Sequence, residues 1–194
     1  MDQEQRRQFV RENRICWVNH ILRDGSPAST PAYYAVNDVG QIELSTMGDR
    51  GKARAVERGD RVSVSVYDER WPPTYLLVFG KAQIDRDPAH AADMLITVVG
   101  LMAAGRRAWW RRNLRGHAAA ANVPASRRGQ IAELARKEHR VVITLTPEET
   151  FETPPRHVSK WRNLWDLVKS LWGMGRKMGG VDTLTHWTST RMPW

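Results

Sequence analysis

The stretch STMGDRGKARAVERGD, residues 45–60, decides the reading of this chain. Residues 41–46 read as a strand that ends in two hydroxyl side chains, Ser45 and Thr46. Gly48 and Gly51 then bracket Arg50, and Lys52 and Arg54 follow at once. Glycine frees backbone amides, and hydroxyls and cations add donors, so such a segment can cradle a phosphate. Arginine brings a planar donor fork, lysine a point charge, and the amides of a starting helix a favourable dipole. Residues 51–58 are helix-forming and stop at Gly59-Asp60. The residues alone leave a second reading open, an exposed basic turn and helix that hold no ligand.

Working outward, short apolar and β-branched runs alternate with turn residues, the pattern of a small barrel or sandwich. Residues 14–22 read as a strand closed by the turn at 23–26, and residues 27–36 as a second that leads into the turn at 37–40. Residues 61–67 set Val62, Val64 and Val66 against Ser63 and Ser65, the period of two of a half-buried strand. Residues 75–84 make a further strand. Beyond residue 87 helical periodicity takes over. A helix is expected over 88–107, with Asp87 as N-cap and Pro88 at the first helical position. A basic helix follows over 126–139, then a strand over 140–146 that ends at Pro147. Thr153-Pro154-Pro155 reads as a linker, which divides the chain into a domain at 1–155 and a tail at 156–194. There is no internal repeat.

The chain has 194 residues, 41% of them hydrophobic and 26% charged, which suits one globular domain with a real core. The formal charge is +9, from 30 Lys and Arg against 21 Asp and Glu. That surplus lies wholly beyond residue 80, and no carboxylate occurs between Asp93 and Glu133 while Arg106, Arg107, Arg111, Arg112, Arg115, Arg127 and Arg128 do. The imbalance suggests an anionic partner: phosphate, nucleic acid, a membrane surface or an acidic cofactor tail. Cys16 is the only cysteine, so a disulfide framework is excluded, and a reducing, cytoplasmic location is expected. Residues 1–13 lack the apolar run of a secretory leader, and the apolar stretch 94–104 falls short of the ~20 residues that cross a bilayer, so it is expected as a buried helix. The six histidines show no metal-ligand spacing, and no nucleophile with its base can be placed. His20, on the first strand beside the phosphate segment, is the histidine to watch.

Six segments in order resemble the flavin-binding split β-barrel group, which includes the pyridoxamine 5′-phosphate oxidase-like proteins and the deazaflavin-dependent oxidoreductases. They are Asp24-Gly25-Ser26-Pro27, Pro31-Ala32-Tyr33-Tyr34, Leu44-Ser45-Thr46, Arg50-Gly51-Lys52-Ala53-Arg54, Gly59-Asp60-Arg61-Val62-Ser63 and Gly80-Lys81-Ala82. The RVVITLTPEE stretch at 140–149 matches the group's closing strand, and the likeness spans residues 9–152. The chain departs from the group's pattern at Arg54-Ala55-Val56 and at Phe79, which stands where Glu is common. The C-terminal signature of true pyridoxamine phosphate oxidases is not recognisable, which argues against the vitamin B6 reaction itself.

The resemblance implies a mainly β (α+β) fold, a six-stranded split β-barrel with flanking helices and a C-terminal helical extension. It implies that Ser45, Thr46, Arg50 and Lys52 hold a cofactor phosphate. Ser29, Thr30, Pro31, Ala32 and Tyr33 would run beside the ring, and Ser63 would line the groove from the partner subunit of a homodimer with the cofactor at the interface. The implied activity is transfer of a hydride or electrons between bound FMN or a deazaflavin coenzyme and a small organic substrate, with no residue singled out as catalytic. Haem is the less favoured cofactor, and a non-redox or haem-binding split-barrel protein is an alternative. A basic nucleic-acid-binding regulator is another, built on Trp109-Trp110 among arginines, although no nucleic-acid fold surrounds them. In the tail, Trp161, Trp165, Val168 and Trp172 share one helical face flanked by basic residues, which suits a helix docked on the barrel, a lid over the substrate, or contact with an anionic membrane surface.

Overall fold

The computed structural model describes residues 1–59, 61–68, 74–104, 120–121, 123–152 and 192–193. The alternation of valine and serine becomes strand β5 (Val62–Asp68), whose valines are buried and whose serines lie on the opposite face. The same period shapes β1 (Ile15–Ile21), where Cys16, Val18 and His20 point inward and Ile15, Trp17 and Ile21 point out. Helix α1 (Gln3–Glu12) opens the chain, capped by Asp2, whose side chain accepts from the Gln5 amide at 2.7 Å. After β1 come β2 (Pro27–Tyr33), β3 (Ala35–Val36), β4 (Ile42–Met47), α2 (Gly51–Glu57), β5 and β6 (Thr74–Asp85). Helices α3 (Pro88–Ala104) and α4 (Ala125–Lys137), the long strand β7 (Arg140–Glu152) and the short β8 (Met192–Pro193) complete it.

All strands join one antiparallel sheet in the order β2-β1-β5-β6-β7-β4-β3, with β8 pairing β7 beyond the end of β4. The sheet curls around the buried side chains of Val18, Leu44, Val64, Leu76 and Ile143, and β2 comes back beside β4 without pairing to it. The result is a mainly β split barrel with flanking helices, as expected, but with seven strands along the path instead of six. The extra strand arises at Tyr34. Its amide still donates to the Arg14 carbonyl at 3.1 Å, while its ring is buried and its hydroxyl donates to the Val10 carbonyl at 2.6 Å. The next two residues pair with β4, so the expected strand at 27–36 divides into β2 and β3.

Strand β7 runs past Pro147, where the sequence suggested an end. Proline has no amide to donate, and it sits at a bulge where the register with β6 shifts between Phe79 and Gly80. A Cβ on Gly80 would lie 2.0 Å from the Thr146 carbonyl oxygen, so only glycine lets the two backbones meet there. Gly25 and Gly40 take φ of +86° and +88° in the turns expected at 23–26 and 37–40.

Helix α3 covers the outer face of β4 and β7 through Ala91, Met94 and Val142, and α4 packs on α3 through Leu95 and Ala135. His90, in the first turns of α3, clamps this layer to the sheet. Its Nδ1 lies 2.7 Å from Asp85 Oδ2, and its Nε2 lies 3.6 Å from Oε2 of the buried Glu43. Among the described residues no helix is long and apolar enough to cross a membrane, and no group of side chains is arranged to hold a metal ion. Asp60, the arginines from Arg106 to Arg115, Trp109 and Trp110, the linker at 153–155 and the helix expected around Trp161–Trp172 lie outside the described residues.

Candidate functional site

The split between β2 and β4 is a cleft of about 610 Å³, closed at one end by α2. Alternation along β2 turns Ala28 and Thr30 into it, and the end of β4 supplies Ser45, Thr46 and Met47. Arg50, Gly51 and Lys52 enter from the start of α2, and Arg140 enters from the first residue of β7, opposite Met47 in the register. Half of the residues singled out from the sequence therefore meet here: Thr30, Ser45, Thr46, Arg50 and Lys52.

The cleft's hydrogen-bonding capacity is unspent. Thr30 Oγ1 and Ser45 Oγ are both buried and without a hydrogen-bond partner. A buried hydroxyl left unmatched costs about 1–3 kcal/mol, so two facing one cleft call for something to fill it. The charges say the same. Among the described residues the Arg50 guanidinium hydrogen-bonds to Met47 Sδ alone, at 3.5 Å, and no described carboxylate pairs with Lys52 or lines the cleft. Arg140 is balanced by Glu138 at 2.6 Å. Burial holds the half-buried Lys52 ammonium below its usual pKa, and the positive charges of Arg50 and Arg140 add to that shift. Cys16 could in principle offset it, but burial pushes its thiol up to about 12, so it is neutral at physiological pH. An anion in the cleft would meet two donor hydroxyls and, in Arg50 and Lys52, two cations with no counter-charge among the described residues. A phosphate group fits these residues.

Two further residues shape the cleft. His20 is buried with Nδ1 3.2 Å from the Val18 carbonyl, and when Nδ1 carries the proton Nε2 is left as an acceptor. Gly51 allows α2 to start against this ring, because a Cβ there would stand 3.1 Å from His20 Nε2 and 3.2 Å from Leu22 Cδ2. Helix α2 has only seven residues and no side-chain cap, so the cleft rests on its side chains more than on a helix dipole.

The other residues singled out lie elsewhere. Ser29 and Ser63 face a second cavity of about 330 Å³ on the other side of the β1–β2 hairpin. Pro31 is exposed opposite Trp17, Ala32 packs inward on the core, and Tyr33 ends β2 opposite Ile15; none of the three lines either cavity. Strand alternation sends the side chains of this run to both faces of β2, so contact with a ring running beside it would be through its backbone. Sequence reasoning passed over Arg140. Its signal was a basic residue opening the strand that pairs with the hydroxyl-bearing end of β4, visible only once that pairing is known.

The pyridoxamine 5′-phosphate oxidase family model matches residues 2–153. No curated protein matches the chain. A conserved hypothetical protein from Mycobacterium tuberculosis superposes with a TM-score of 0.58 at 23% identity, over 82% of this chain and 92% of that one. A Clostridium acetobutylicum protein related to general stress protein 26 of B. subtilis, described as of the pyridoxinephosphate oxidase family, gives a TM-score of 0.50 at 13% identity, over 80% of this chain and 89% of that one. At these identities the two structures are alike in fold alone, whereas the family model extends from α1 to the last residue of β7 and beyond the whole phosphate segment, so the chain belongs to the pyridoxamine 5′-phosphate oxidase family.

Proposed function

We propose that the protein is an oxidoreductase that binds a phosphate-bearing flavin, FMN or a deazaflavin coenzyme, in the cleft between β2 and β4. The observation that carries this reading is the pair of buried, unmatched hydroxyls of Thr30 and Ser45 beside Arg50 and Lys52. Thr46, Arg50 and Lys52 would hold the phosphate, Thr30 and Ser45 would donate to it, and Arg140 would add to the field. When bound, the ring supplies the hydride or electron transfer, so no nucleophile or metal is needed from the protein. The chain's own part is to bind, orient and dry the reacting face. A cleft of about 610 Å³ is in the range of small-molecule sites, at roughly 300–1,000 Å³.

A second copy of the chain belongs to this proposal. The outer face of β1 and β5 leaves Trp17 40% and Tyr67 47% exposed, together with Ile15 and Ile21. A homodimer would cover that face and wall the open side of the cleft. The substrate would be a small organic molecule.

The absorption spectrum of the purified protein tests the reading directly. A flavin or deazaflavin band that is bleached by reductant supports it. A Soret band would point to haem instead, and a colourless protein that takes up neither flavin nor deazaflavin would overturn it.

A further inference from the structure

The cleft presents mostly donors. Arg50, Lys52 and Arg140 can only donate, and the hydroxyls of Thr30 and Ser45 have protons to give. His20 is the exception. Its Nδ1 lies 3.2 Å from the Val18 carbonyl, which only accepts, so Nδ1 carries a proton and the neutral ring presents a lone pair at Nε2. The ring is buried, yet it lines the cleft, and Nε2 has no hydrogen-bond partner among the described residues. Gly51 marks where that lone pair sits, because a Cβ there would stand 3.1 Å from Nε2. Gly51 stands between Arg50 and Lys52 in the chain, so Nε2 lies beside the side chains assigned to the phosphate.

The charges around this ring are cationic. Arg50 and Lys52 come from α2, Arg140 from β7 together with its partner Glu138, and Arg61, just ahead of β5, borders the second cavity, which His20 also lines. Arg58 of α2 donates to the neighbouring Ile21 carbonyl, Cys16 of β1 is neutral, and β2 and β4 bring no charged group into the cleft. A phosphate oxygen without a proton would set its lone pairs against the one on Nε2. One proton between them turns that repulsion into a charge-assisted hydrogen bond.

We propose that His20 selects a phosphate monoester, by sharing one proton through Nε2 with the phosphate held at Arg50 and Lys52. This rests on the reading of the cleft as the seat of a cofactor phosphate, and narrows it. A monoester has a second pKa of about 6, so it is basic enough to share a proton near neutral pH. Its two negative charges also match the two cations without a counter-charge, Arg50 and Lys52. A diester carries a single charge and takes up no proton in that range. FMN is a monoester and the deazaflavin coenzyme a diester, so His20 favours FMN.

Isothermal titration calorimetry of the full-length protein at about pH 8, in two buffers of different ionisation enthalpy, counts the protons taken up as ligand binds. FMN should bring in close to one and the deazaflavin coenzyme close to none. His20→Gln, whose amide donates to phosphate without a proton from solvent, should bind FMN with no uptake. From about pH 7 to about pH 8 the wild type's affinity for FMN should fall about tenfold, while that of the variant stays level. Lys52, whose pKa burial lowers, is the other group able to gain a proton, and uptake through it would appear with both ligands and survive in His20→Gln. FMN binding without uptake, equal uptake with the two ligands, binding of the coenzyme alone, or undiminished uptake in His20→Gln would overturn the proposal and leave the cleft standing. The two wild-type titrations decide the matter even where the variant fails to fold. A wild type that binds neither ligand would overturn the reading of the cleft, and this proposal with it.

Discussion

Thr30→Val should stabilise the protein in the absence of ligand and weaken its hold on a phosphate-bearing flavin. Valine has the shape of threonine, and Thr30 Oγ1 is buried with no partner, so the substitution removes a desolvation cost without leaving a void. Recovering about 1 kcal/mol of the roughly 1–3 kcal/mol at stake raises the Tm of a chain of this size by about 2–4 °C. If the same hydroxyl donates to a phosphate when ligand is bound, its loss costs about 1.5–3 kcal/mol, or about 10- to 150-fold in affinity. The two effects have opposite signs, which separates a functional hydroxyl from a merely misplaced one. Ser45→Ala should behave alike. Thermal melts of the ligand-free variants give the first quantity, and fluorescence titration with FMN or the deazaflavin coenzyme gives the second. A lower Tm together with unchanged affinity would refute the reasoning.

Other consequences can be read from the same structure. Gly80→Ala drives a Cβ into the Thr146 carbonyl at the β6–β7 bulge, and it should destabilise the fold by about 3 kcal/mol or more in urea unfolding. The His90 clamp should make stability depend on pH. Burial opposes the charge on His90, but the hydrogen bond to Asp85 and the attraction of Glu43 and Asp85 outweigh it and raise its pKa, and Asp85 is held below its usual value by the Asp87 amide and by His90. A raised histidine contributes fully below its unfolded pKa and fades as pH rises through its folded one, and a lowered carboxylate contributes above its unfolded pKa. The cost of His90→Gln should therefore be largest between about pH 4 and 6.5 and shrink above that window; a cost that grows with pH would contradict it. Trp17→Glu, on the exposed face of β1, should convert a sedimenting dimer to monomer and loosen the cofactor.

Local signals carried most of the fold. The Val62-Val64-Val66 alternation, the turns at Gly25 and Gly40, and Asp87-Pro88 at a helix start need no knowledge of distant residues, and the structure bears each of them out. Pairing is where the sequence misleads. Pro147 looks like a strand end because it lacks an amide, yet opposite Gly80 it occupies a bulge where no amide is required. Tyr34 looks like one more strand residue, but burial of its ring under α1 divides the strand. The phosphate segment was legible because its hydroxyls and cations are consecutive. The pairing of Arg140 with the end of β4, the orphaned hydroxyl of Thr30 and the separation of Ser29 and Ser63 into another cavity depend on register between strands far apart in the chain.

The claim at the centre is that Arg50 and Lys52 hold a cofactor phosphate in the split between β2 and β4. Titrating the ligand-free wild type and the Arg50→Ala/Lys52→Ala variant with FMN and with the deazaflavin coenzyme tests it most directly. Two charge-assisted contacts at about 1.5–3 kcal/mol each predict that affinity for whichever the wild type binds falls about a hundredfold or more, with the circular dichroism of the barrel unchanged. Equal affinity in the two proteins, or a wild type that binds neither, would contradict it.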